Sequence, residues 1–137
     1  MHSPDVVVTG FPRRAAQLRL PAAIDELPVA RGVATVLATA ADFTLDEISD
    51  ITLATDEVCS RLISAALPEA EIALDFEVAA DFRLEASVRT RPGYSPDVDS
   101  FGWHVLVTLT DRVTVVEPET DRDPTVIEFR KIRDVDR

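Results

Sequence analysis

Two neighbouring runs constrain this fold more than anything else in the chain: Glu71-Ile72-Ala73-Leu74-Asp75-Phe76-Glu77-Val78 and Phe82-Arg83-Leu84-Glu85-Ala86-Ser87-Val88-Arg89. Both alternate apolar and polar residues, the period of a strand with one face in the core and the other in water. Ala79-Ala80-Asp81 leaves room only for a tight connection, so the runs pair as an antiparallel hairpin. A lone hairpin cannot bury its apolar face, so the rest of the chain must cover it.

Helical patterns supply that cover. From Ala23 to Phe43, Leu27, Ala30, Val33, Ala34, Leu37 and Ala41 recur at three- and four-residue spacing, with Pro28 suited to the first turn. Thr44 followed by Glu47 forms a capping box, and opens a longer helix patterned by Leu45, Ile48, Ile51, Thr52, Thr55, Val58, Cys59, Leu62 and Ala66. That helix stops at Leu67-Pro68. Upstream, Gln17-Leu18-Arg19-Leu20-Pro21 alternates like a short first strand. Downstream come a loop from Arg91 to Asp97 and a third helix capped by Ser100 and reaching Leu109. Two strands follow, Val113–Val116 and Val126–Phe129, around a polar turn. The order β-α-α-β-β-loop-α-β-β predicts an α+β, two-layer sandwich with helices on one face of a mixed, mostly antiparallel sheet. The 137 residues suit one domain, residues 15–133, with a flexible leader at 1–14 and a tail at 134–137.

Charge narrows the function. Against 14 Lys and Arg stand 25 Asp and Glu, a net charge of −11, and the only lysine is Lys131. Such a surface repels the phosphates of nucleic acid and of membranes, and favours a basic protein partner. No apolar stretch approaches the roughly 20 residues that cross a bilayer. Met1-His2-Ser3-Pro4-Asp5 lacks the layout of a signal peptide, so a cytoplasmic protein is expected. The single cysteine, Cys59, can form neither an internal disulfide nor a metal cluster, and its apolar neighbours predict a buried, inert thiol.

Three segments add a family likeness. They are Val29-Ala30-Arg31-Gly32-Val33-Ala34-Thr35-Val36-Leu37, Leu53-Ala54-Thr55-Asp56-Glu57-Val58-Cys59-Ser60-Arg61-Leu62-Ile63, and Ser100-Phe101-Gly102-Trp103-His104-Val105-Leu106. In order and spacing the chain resembles the GHKL (Bergerat) fold and, within it, anti-sigma factor serine kinases of the RsbW and SpoIIAB type, the mycobacterial RsbW (UsfX) branch above all. The resemblance implies an anti-sigma factor that sequesters an alternative, stress-type sigma factor (SigF- or SigB-like), is relieved by an anti-anti-sigma factor, and works as a homodimer. It places partner contacts on the first helix, at Arg31 with Glu26, Ala30 and Ala34. It also implies an alternative, an active ATP-dependent kinase that phosphorylates its anti-anti-sigma factor with Glu57 as the catalytic base.

The residues themselves weaken the kinase side. Where the family has a magnesium-binding asparagine, this chain has Arg61, a permanent cation with no acceptor atom. Arg61 stands four residues after Glu57, so the two can pair directly. The expected aspartate and paired glycines after the hairpin are replaced by Arg89-Thr90-Arg91-Pro92-Gly93. The lid shrinks to Tyr94–Asp99, and the glycine-rich opening of the third helix shrinks to Gly102, between Phe101 and Trp103. Arg61, Gly93 and Gly102 remain the candidate nucleotide contacts, ATP with magnesium being weakly held at best. Phe101 and Trp103 are expected in the core, and no residue set suggests a metal site.

Overall fold

The computed structural model describes residues 12–134. Its elements are β1 (Arg14–Pro21), a 3-10 turn at Ile24–Glu26, α1 (Leu27–Ala40), α2 (Leu45–Ala65), β2 (Glu71–Val78), β3 (Asp81–Val88), α3 (Phe101–Leu109), β4 (Arg112–Val116) and β5 (Thr125–Ile132). The predicted order is therefore recovered, and helices cover one face of a five-stranded sheet ordered β1-β2-β3-β5-β4. Residues 1–11 of the expected leader and 135–137 of the expected tail lie outside the described residues, and Arg14 already belongs to β1.

The expectation of a mixed sheet is corrected: all four strand pairings are antiparallel. Two reversing elements separate the neighbours that are not joined by a hairpin. α1 and α2 run antiparallel between β1 and β2, and α3 with β4 stands between β3 and β5. An even number of reversals returns the chain antiparallel to the strand it left. β1 is also three residues longer than its alternation suggested, because it pairs with β2 along its whole length, from Arg14 opposite Val78 to Pro21 opposite Glu71.

The boundaries of the helices follow local chemistry. Pro28 sits in the first turn of α1, where a missing N–H costs nothing. Past its end Asp42 takes a left-handed φ of 61°, reversing the chain towards Thr44. Thr44 accepts from the Glu47 N–H at 3.1 Å while the Glu47 carboxylate accepts from the Thr44 N–H at 2.8 Å, the predicted capping box. Ser100 accepts from the Trp103 N–H and caps α3.

Between helices and sheet, Ile72, Leu74, Phe76 and Val78 of β2 face Phe82, Leu84, Ala86 and Val88 of β3, all buried as the alternation requires. Phe82 anchors this layer, with Phe43 and Phe76 edge-on at 6.3 and 6.0 Å and Phe129 stacked at 6.0 Å. The opposite sheet face is banded. The register aligns Asp75, Glu85 and Glu128 across three strands, and Glu77, Arg83 and Arg130 in the next row. Like charges directly opposed are unfavourable. Arg83 compensates by reaching Glu85 at 2.6 Å and Glu128 at 3.1 Å, and Arg130 meets Glu128 at 3.5 Å. Lys131 instead ties elements together, donating to Asp50 of α2 at 3.0 Å and to the Leu109 carbonyl at the end of α3 at 2.9 Å. No helix among the described residues is long and apolar enough to cross a membrane.

Candidate functional site

The second half of α2 lies against the start of α3, and here the structure brings Glu57, Arg61 and Gly102 together. One helical turn separates Glu57 from Arg61, so both side chains leave the same face of α2. Arg61 Nε donates to Glu57 Oε1 at 2.9 Å and its Nη2 donates to Ser100 Oγ at 2.5 Å. The guanidinium carbon also lies 5.4 Å from the centre of the Trp103 ring. Side-chain exposure is 15% for Arg61 and 27% for Glu57, so water screens this pair only partly. Ser100 is fully engaged, since its hydroxyl also donates to the Asp97 carbonyl at 2.9 Å.

Gly102 explains how close the helices come. A Cβ on this residue would lie 2.2 Å from Glu57 Oε1 and 2.9 Å from Glu57 Cδ. The Glu57 carboxylate thus rests on the first turn of α3, where the helix dipole favours a negative group. A nucleotide phosphate would have to take the same place and meet a like charge there. Arg61 offers donors only, so it cannot take the place of a magnesium-binding asparagine. The residues present therefore do not fit a magnesium nucleotide.

Other expected residues fall elsewhere. Gly93 adopts a φ of 78° in the turn after β3 and has open space beside its Cα, so it serves the turn and does not line the Glu57 group. Trp103 is buried as expected, but Phe101 is 83% exposed: α3 turns its Trp103 and Leu106 side inward, and two residues earlier the helix points to solvent. Tyr94, at the start of the shortened lid, is half-buried. Burial pushes its phenol up, and the nearby Arg61 and Arg91 guanidiniums partly offset this. Cys59 is buried, and desolvation with the Asp56 charge pushes its thiol up to about 12.

On α1, Arg31 is half exposed and pairs within the chain. Its Nη1 meets Asp56 Oδ1 of α2 at 2.5 Å. Ala30 and Ala34, at 2% and 0% exposure, lie on the inner face of α1, as their place in its apolar stripe predicts. Their small side chains belong to the stripe that faces the core. Glu26 is half-buried immediately before α1. The Arg31–Asp56 pair escaped sequence reasoning because the residues are 25 apart, and only the antiparallel packing of α1 on α2 joins them.

Comparison with known proteins places this geometry among relatives. No family model matches the chain. Over 103 residues, 73% of this chain, it is 36% identical to the anti-sigma-F factor RsbW of Mycobacterium tuberculosis, in strain H37Rv and equally in strain CDC 1551. The aligned region is 60% of those relatives' length, so the chain spans less than two thirds of the curated proteins it matches. Among solved structures it resembles the crystal structure of the RsbU and RsbW domains of Rv1364c from M. tuberculosis, with a TM-score of 0.71 at 13% identity, over 88% of this chain and 32% of that one. The second likeness speaks for fold alone. The first is a likeness of sequence to RsbW over most of this chain.

Proposed function

We propose that this chain is an anti-sigma factor of the RsbW type, which holds a SigF- or SigB-like stress sigma factor away from RNA polymerase by contact alone. The sequence kinship to the anti-sigma-F factors carries this reading. Within it, residues 15–133 act as one GHKL-like domain, the protein is cytoplasmic and homodimeric, and an anti-anti-sigma factor relieves the inhibition by binding an overlapping surface. An excess of 11 negative charges suits a partner whose DNA-binding surface is basic, and speeds their encounter. Arg31 and Glu26 line the contact surface, with Ala30 and Ala34 supporting it from beneath.

The kinase alternative fares worse on the Glu57 geometry. A general base must present a free carboxylate to the substrate hydroxyl beside bound phosphates. Glu57 instead lies on the first turn of α3 and accepts from Arg61. The test is calorimetric titration of a purified sigma-F-type factor from the same organism, with transcription by its holoenzyme as the second readout. Sub-micromolar binding with loss of transcription is expected. Labelled phosphate should not pass from ATP to an anti-anti-sigma serine, with Glu57→Gln indistinguishable from the parent chain. Absence of binding at tens of micromolar would end the anti-sigma reading, and Glu57-dependent transfer would restore the kinase.

A further inference from the structure

α1 stands apart from the rest of this acidic surface. Its fourteen residues carry one charge, Arg31, and its outward arc runs through Val29, Gly32 and Val36, with Val29 44% and Val36 66% exposed. Across the seam α2 adds Leu53, 53% exposed. The seam itself is laced by Thr35 and Thr52, whose hydroxyls are 2.9 Å apart, and one turn further by Arg31 and Asp56. Arg31 and Asp56 side chains are 41% and 37% exposed. Among the described residues, the sole cation on this face is thus cancelled within the molecule.

We infer that Asp56 is an intramolecular competitor that masks Arg31, so that the α1–α2 seam accepts only a partner segment bringing both aliphatic contact and a carboxylate able to displace Asp56. The inference rests on the proposed sigma-factor contact and adds its regulation. An acidic side chain alone gains nothing by exchanging with Asp56, and an aliphatic segment alone leaves Arg31 where it is. Only both together offset the exchange, which makes Asp56 a specificity-determining residue although it need not touch the partner. Neutralising it exposes the guanidinium and converts a salt-insensitive docking face into a charged one.

Two measurements on the full chain test this, one of them independent of any partner. In the first, phenylglyoxal modification of Arg31 is followed by mass spectrometry in the parent chain and in Asp56→Asn, with equal melting temperatures as the control for folding. Modification should be about threefold faster in the variant, the range expected for releasing a half-exposed ion pair. An unchanged rate overturns the masking whether or not any sigma factor binds. In the second, the same sigma-F-type factor is titrated at low and high salt. Asp56→Asn should bind about three- to fivefold tighter at low salt, with the gain lost at high salt and in an Arg31→Ala background. Equal or weaker binding by Asp56→Asn, or a gain that survives Arg31→Ala, overturns the inference. A parent chain that does not bind, together with faster Arg31 modification, leaves the mask standing and removes the proposed function.

Discussion

Replacing Gly102 by alanine tests whether Glu57 truly occupies the first turn of α3. In an ordinary helix this change stabilises by up to about 1 kcal/mol, because alanine loses less conformational freedom on folding. Here the new methyl would lie 2.2 Å from Glu57 Oε1 and 3.0 Å from Arg61 Nη2. The carboxylate is the end of a side chain and can withdraw, but doing so breaks its 2.9 Å bond to Arg61. A charge-assisted hydrogen bond between groups this far from water contributes about 1.5–3 kcal/mol. The balance is a loss of about 1–2 kcal/mol, a fall of roughly 4–8 °C in melting temperature for a domain of this size. Urea unfolding of Gly102→Ala, Glu57→Ala and the double variant isolates the effect. In the Glu57→Ala background the clash is gone, and Gly102→Ala should become neutral or stabilising. A Gly102→Ala chain more stable than its parent would refute the placement of Glu57, and with it the argument that a phosphate finds its place taken.

Arg61→Asn restores the residue type expected for magnesium but removes the bonds to Glu57 and Ser100, so it should lower stability by about 2–3 kcal/mol in urea. It should not bring a melting shift with millimolar ATP and magnesium, because Arg89-Thr90-Arg91 still stands where the adenine-binding aspartate would be. Cys59, with a thiol pushed up to about 12 from 9.0, should resist thiol reagents at pH 8 until the chain unfolds. A raised folded-state pKa gives stability that is complete below about pH 9 and lost as pH rises towards 12; Cys59→Ala should remove that part of the alkaline slope, about 1.4 kcal/mol per pH unit at most. Phe82→Ala, at the meeting point of three other rings, should cost about 3–5 kcal/mol by calorimetry.

The elements that the sequence revealed are those with strong local chemistry. The hairpin alternation, the Thr44–Glu47 box and the Ser100 cap each act within a few residues, and each is found where it was expected. The full length of β1 was hidden, because pairing with β2 and not its own pattern extends it to Arg14. At the site, the Glu57–Arg61 pair was legible from a spacing of four. What that pair does was not, since it depends on the approach of α3 and on the space left by Gly102. Phe101 misled for the same reason: hydrophobicity does not say which side of a short helix faces the core, and Trp103 and Leu106 took that side.

Lys131 carries the only side-chain amine in this sequence, and it is 16% exposed and committed to Asp50 and to the end of α3. Amine-directed cross-linkers, biotin esters and resin couplings will find no free side chain on which to act. Complexes of this protein will therefore be under-represented in any survey that captures partners through lysine. Reagents directed at its 25 carboxylates reverse that bias, but Asp50, through which Lys131 holds α2, is itself one of their targets.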